Sequence, residues 1–254
     1  MKRLLSILII FIVNCPFTIG NPTVADSLKV MADSAYAQEN FDRAAKLYQR
    51  IAKSGESAVI CYNLGNCYYR KDDIAHAILW YERASILSPG DSDIRFNLDM
   101  ARSHTIDRIT PQHEFFFISW YHSMVNWMSV DAWAMLAVVL FVCFLLTLAI
   151  YIYADSLWMR KAGFTLAIVS LLLTLLCNVC AWSQRDRLIH RSGAIVMSPS
   201  AVVKSTPAAS GSDLFVLHEG TYVSIRDKSI NNWYEVTLAD GKQGWIERRQ
   251  VEEI

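Results

Sequence analysis

The chain has 254 residues, 53% of them hydrophobic, with 24 basic and 24 acidic side chains. That balance of charge removes any whole-chain reason to expect nucleic acid or a strongly acidic substrate as partner. The apolar residues are gathered into blocks, which points to lipid-embedded segments between polar modules rather than to one soluble body.

The first block, MKRLLSILIIFIVNCPFTIG, has Lys2 and Arg3, an apolar run from Leu4 to Val13, and then a polar, proline-containing stretch. This is the layout of an export signal, assigned to residues 1–25, with cleavage after Gly20 or Ala25. The run is short of the roughly 20 residues a span needs. Cys15 follows Asn14 where a lipoprotein signal would have a small residue, so lipidation is not expected.

Residues 26–105 repeat with a period of about 34. In the clearest window, 58–90, Leu64, Gly65 and Tyr68 fall on one helix, Ala77, Tyr81 and Ala84 on a second, and Pro89 ends the unit. A small residue at Gly65 lets the partner helix approach, and the tyrosines fill the space between neighbours. The window 26–55 repeats the second half through Phe41, Ala44 and Tyr48, with Ala32 in the glycine position. A third start, FNL at 96–98 echoing YNL at 62–64, runs out like a capping helix. These positions resemble the tetratricopeptide repeat. The resemblance implies a groove, lined by the first helix of each unit, that holds a peptide or a helix. Carried over by position, it falls on Lys29, Tyr36, Tyr62, Asn66, Tyr69, Arg70, Phe96 and Met100. A family clamp for a C-terminal carboxylate is incomplete, because Asp33 stands where that pattern has Asn. The plainer account of each residue alone is an ordinary core or solvated position.

Residues 106–131 form a linker, within which FFFISWYHSMVNWM (115–128) either lies flat on a bilayer or packs under the repeats. Residues 132–153 and 162–182 contain no charged side chain and match the length of transmembrane helices. The short connector, 154–161, makes them a hairpin. Its Arg160 and Lys161 favour the cytoplasm, Arg185, Arg187 and Arg191 past the second span pull the other way, and the export signal breaks the tie. Both polar modules are thus expected on the periplasmic face of a bacterial inner membrane.

After a linker at 183–193, residues 194–254 turn to short alternating runs, with an Asp240–Gly241 hairpin signal. They resemble a bacterial SH3-like barrel. Gly220 and Gly244 would supply tight turns, and Trp233, Tyr234 and Trp245 would supply core and ligand-groove aromatics. Such relatives take peptides or peptidoglycan stems.

No catalytic grouping, phosphate loop or metal-spaced cluster is present, so neither enzyme nor cofactor is expected. Cys61 and Cys67 are too far apart on one helix for a disulfide and read as core. Cys177 and Cys180 form a CxxC inside the second apolar run, where burial would blunt a thiol.

The predicted fold is therefore a multidomain membrane protein: an all-α repeat array, a two-helix transmembrane hairpin and a small all-β SH3-like barrel. This order of modules resembles the BatE branch of the Bacteroides aerotolerance (Bat) family. The resemblance implies a non-catalytic scaffold working with sibling Bat proteins, some with von Willebrand A domains, in aerotolerance or envelope stress. The alternatives are a cell-wall sensor acting through the SH3-like module, a membrane thiol redox protein using Cys177 and Cys180, and a holder of exported chains.

Overall fold

The computed structural model describes residues 24–110, 115–230 and 232–254. The export signal lies outside these but for its last two residues, with which the first helix begins. Among the described residues, five helices come first: α1 (Val24–Ala37), α2 (Phe41–Ala52), α3 (Ala58–Arg70), α4 (Ile74–Leu87) and α5 (Ser92–Arg102). Their starts are written locally. Asn40, Ser57, Asp73 and Asp91 each accept a hydrogen bond from a backbone N–H of the first turn they cap.

The turn inside each unit is the same. Glu39 and Asp72 both take positive φ, 58° and 62°. Around them, Glu39 N donates to Tyr36 O and Asn40 N to Ala35 O, and one unit later Asp72 N donates to Tyr69 O and Asp73 N to Tyr68 O. This paired pattern satisfies the last carbonyls of the first helix and reverses the chain into the second. Between the helices lie Tyr48, Ile51, Leu64, Cys67, Ile78, Leu79 and Tyr81, all buried. Gly65 is required where it stands: a Cβ there would lie 2.5 Å from the Tyr81 ring.

A short helix, α6 (Phe116–Val125), leads into α7 (Val130–Tyr153) and α8 (Leu157–Ile189), which pack on each other as a hairpin. Both are long and apolar enough to cross a membrane, yet only 6% of the most apolar window of α7 and 28% of that of α8 is buried. Their large side chains therefore face outward, as those of a soluble core helix do not. The face of α8 turned inward is a row of small or short polar residues: Gly163, Ala167, Ser170, Thr174, Cys177 and Cys180. At Gly163 a Cβ would come within 2.9 Å of Tyr151 N and 3.0 Å of Thr147 O, so the backbones touch where the hairpin is narrowest. Helix α8 continues well beyond both ends of the apolar run at 162–182, taking in most of the connector and of the linker that follows.

Seven strands complete the chain: β1 (Gly193–Val196), β2 (Ser200–Lys204), β3 (Asp213–His218), β4 (Tyr222–Asp227), β5 (Trp233–Thr237), β6 (Gln243–Glu247) and β7 (Val251–Glu253). They form one antiparallel sheet in the order β3-β2-β6-β5-β4-β1-β7. Alternation puts Val223, Ile225, Tyr234, Val236 and Ile246 on the buried face. The turn between β5 and β6 uses Gly241 at φ 87°, as the Asp240–Gly241 pair predicts, and Gly220 at φ 82° serves the turn into β4. Gly244 differs from expectation. It is inside β6, where a Cβ would lie 2.5 Å from Val203 Cγ1, so it serves close strand packing rather than a turn.

The sheet does not hang free of the array. Strand β1 packs on α4, and Ile195 and Ile254 are buried within the helical core. Arg83 of α4 donates to Glu253 O at 2.6 Å and to Glu252 Oε1 at 3.3 Å, with its guanidinium stacked 4.5 Å from the Trp80 ring centre. Just beyond α5, the Asp107 carboxylate accepts from His218 N (2.7 Å), His218 Nδ1 (2.8 Å) and Thr221 Oγ1 (2.7 Å). Arg191 pairs with Glu56 at 2.9 Å.

Candidate functional site

The first helices of the successive units, α1, α3 and α5, carry the residues expected to form a groove. The sheet is docked on α4, a second helix, through Arg83, Ile195 and Ile254. None of these docking residues belongs to the set expected to form the groove.

Five groove residues, Tyr36, Tyr62, Asn66, Tyr69 and Arg70, make contacts within the array, and two of their partners, Asn97 and His104, were not singled out by the sequence pattern. Asn97 Nδ2 donates to Tyr62 Oη at 2.8 Å and to Asn66 Oδ1 at 3.1 Å, and Tyr81 Oη donates to the same Asn66 oxygen at 2.7 Å. Tyr69 meets His104 edge-on, with its hydroxyl 3.2 Å from Nε2. Arg70 stacks 5.0 Å from the centre of Phe41, which also receives Tyr36 edge-to-face at 5.3 Å. Phe96 is 68% exposed and Met100 is half-buried. Val59, 57% exposed, lies one turn before Tyr62 on the same helix face and extends this apolar surface. Lys29 is held apart from the cluster by its ion pair with Asp33 at 2.8 Å.

The electrostatics follow from this packing. Burial pushes the Tyr81 hydroxyl well above its ordinary range, and Tyr62, Tyr36 and Tyr69 around it push the same way. Burial also raises the Asp33 carboxyl, but hydrogen bonds from Lys29 and Tyr48 outweigh it and hold that group below the usual carboxylate value. The floor of the groove is thus neutral hydroxyl and amide, with cations at Arg70 and Lys29.

In the sheet, Trp233 and Trp245 lie on the outer face, placed diagonally by the pairings Trp233–Glu247 and Glu235–Trp245. Tyr234 is on the opposite face, 4% exposed, with its hydroxyl donating to Glu253 Oε1 at 2.6 Å. The three aromatics expected together are therefore divided, and Tyr234 serves the core. Trp233 borders a shallow depression of about 610 Å³ with Asn232, Glu247, Arg248 and Arg249.

Four of the described cysteines, Cys61, Cys67, Cys177 and Cys180, are buried, and Cys143 is exposed. Burial pushes the Cys61 thiol up to about 11 and that of Cys67 up to about 12. Cys177 and Cys180 are 3% and 0% exposed, packed with Val125, Trp133 and Ala137. Among the described residues, no group of three or more His, Cys, Asp or Glu side chains could hold a metal ion.

The family model described as Tetratricopeptide repeat matches residues 30–92. That span takes in most of α1 and all of α2, α3 and α4. No curated protein matches the chain closely enough to count as a relative. The tetratricopeptide repeat is a protein-interaction module, so the helical array is assigned to binding proteins.

Proposed function

We propose that this protein is a non-catalytic, membrane-anchored scaffold, whose tetratricopeptide groove holds a peptide or helix of a partner membrane protein. The observation that carries this reading is the docking of the sheet on α4. One face of the array is used within the chain, and the face bearing Tyr62, Asn66, Tyr69, Arg70 and Phe96 is left for something else. In this reading α7 and α8 cross the membrane, with array and sheet together on the periplasmic side. The sheet is an SH3-like module. The partners are sibling proteins of a Bat-type complex, including those with von Willebrand A domains, as the BatE-like order of modules suggests.

A pull-down from solubilised membranes tests it. Asn66 also holds the array together, so the informative variant is Phe96→Asp with Arg70→Glu, two exposed positions whose loss leaves the core intact. One or two membrane proteins captured by the wild type and lost with the variant support the scaffold. A partner set unchanged by the variant removes the groove from the account.

A second reading is favoured by Trp233 beside Arg248 and Arg249, which would suit a carboxylate-bearing peptide or a peptidoglycan stem. Binding of such fragments that is lost in Trp233→Ala would move the ligand to the sheet. The thiol-exchange alternative is weakened by the burial of Cys177 and Cys180, since an attacking thiolate must be reachable.

A further inference from the structure

Helix α6 ends in the hairpin. Val125 is fully buried against Trp133, Ala137, Cys177 and Cys180. Its carbonyl accepts from Trp133 Nε1 at 3.0 Å and from Gln184 Nε2 at 2.7 Å, and Gln184 Nε2 also reaches Met128 O at 2.6 Å. Cys177 and Cys180 lie within the charge-free run at 162–182. At 1.5 Å per residue, Val125 is thus roughly 3–8 Å inside the C-terminal end of that run. The end of α6 is consequently set at the depth of the apolar boundary.

Tyr121 and Met124 are half-buried and still pack against the hairpin, the helix leaves it only before them, and its two faces differ. Ser119, His122, Ser123 and Asn126, at i, i+3, i+4 and i+7, border a cavity of about 320 Å³ opposite Pro89 and Arg95 of the array. The polar stripe therefore looks toward the array. The opposite stripe holds Phe117, Trp120, Tyr121 and Met124, and Phe115, Phe116, Phe117 and Trp120 are between 59% and 81% exposed. The joint to the array is tight. A Cβ at Gly90 would lie 2.5 Å from Trp127 O, and Arg187 Nη1 donates to Asn126 Oδ1 at 3.0 Å.

We propose that α6 is an interfacial helix, with its aromatic face in the boundary between lipid headgroups and acyl chains and its polar face carrying the tetratricopeptide array. This rests on α7 and α8 spanning the membrane. The occupant of the aromatic face is phospholipid, because that face continues the outward apolar surface of the hairpin at the depth where headgroups meet chains. The array is then seated on the bilayer, with its groove held at a set height and open to a partner anchored in the same membrane.

The test uses the full chain in phosphatidylethanolamine/phosphatidylglycerol nanodiscs, with Phe117→p-benzoylphenylalanine as a photoreactive probe. The same substitution at Phe141, 47% exposed on α7, reports lipid around the hairpin, and at Phe96 it reports the water-facing groove. Phospholipid adducts at Phe117 comparable to those at Phe141, and none at Phe96, are expected. Adducts at Phe141 without any at Phe117 overturn the interfacial helix while leaving the anchor standing. Adducts from Phe117 to the array or to a second copy also overturn it. Loss of lipid adducts at both Phe141 and Phe117 removes the membrane reading itself.

Discussion

Tyr81 donates its phenolic hydrogen to Asn66 Oδ1 at 2.7 Å, and one unit earlier Tyr48 donates to Asp33 Oδ1 at 2.5 Å. In each case the tyrosine of a second helix reaches back to the first helix of its own unit. An asparagine of the following unit closes the set: Asn63 Nδ2 donates to Tyr48 Oη at 3.3 Å, and Asn97 Nδ2 to Asn66 Oδ1 at 3.1 Å. The bond thus recurs with the repeat and ties each unit to the next.

Breaking that tie should cost stability. Tyr81→Phe and Asn97→Ala are each expected to lower the stability of the array by about 0.5–1.5 kcal/mol per hydrogen bond lost, since Asn66 Oδ1 keeps its other donor in either variant. The double variant should exceed the sum, because only then does Asn66 Oδ1 lose both of its donors. Thermal unfolding of the reconstituted protein, followed by circular dichroism, measures all three.

Gly65→Ala places a methyl group against the Tyr81 ring. The expected loss is about 1–3 kcal/mol from overpacking. Gly55→Ala, where no atom lies within 4 Å of the added carbon, is the control that should change little in the same melt.

Glu39 occupies a left-handed position at φ 58° without a glycine's freedom. Glu39→Gly should raise stability by up to about 1 kcal/mol, and Asp72→Gly by less, since aspartate tolerates that region better than glutamate. A rise in the midpoint of thermal unfolding for Glu39→Gly, larger than for Asp72→Gly, is the expected result.

The Asp107 junction should be sensitive to acid. Burial raises this carboxyl, but the His218 backbone N–H, the His218 ring and Thr221 together outweigh it and hold it below its ordinary 3.8. A lowered acid value stabilises the fold above 3.8, and the contribution disappears as pH falls through the lower folded value. Asp107→Asn should therefore melt below the wild type at neutral pH, and the gap should narrow as pH falls below 3.8. Tryptophan fluorescence follows it, because Trp233 and Trp245 report the sheet.

The sequence alone determined the modules. Hydrophobic residues at helical spacing around Leu64, Gly65, Tyr68, Ala77 and Tyr81 specify a paired-helix unit, because each position is dictated by contacts within that unit. The two charge-free runs and the Asp240–Gly241 turn were legible for the same reason: length, polarity and backbone conformation are local properties. Asn97 was not legible, because its role depends on side chains from α3 brought to it by the stacking of units. The division of Tyr234 from Trp233 and Trp245 depends on which face of β5 is covered. Only the tertiary structure decided that Arg83 and Asp107 would clasp a sheet more than a hundred residues further along the chain. Those contacts join segments separated by the entire hairpin, and no local pattern of residues records which distant surface a side chain will meet.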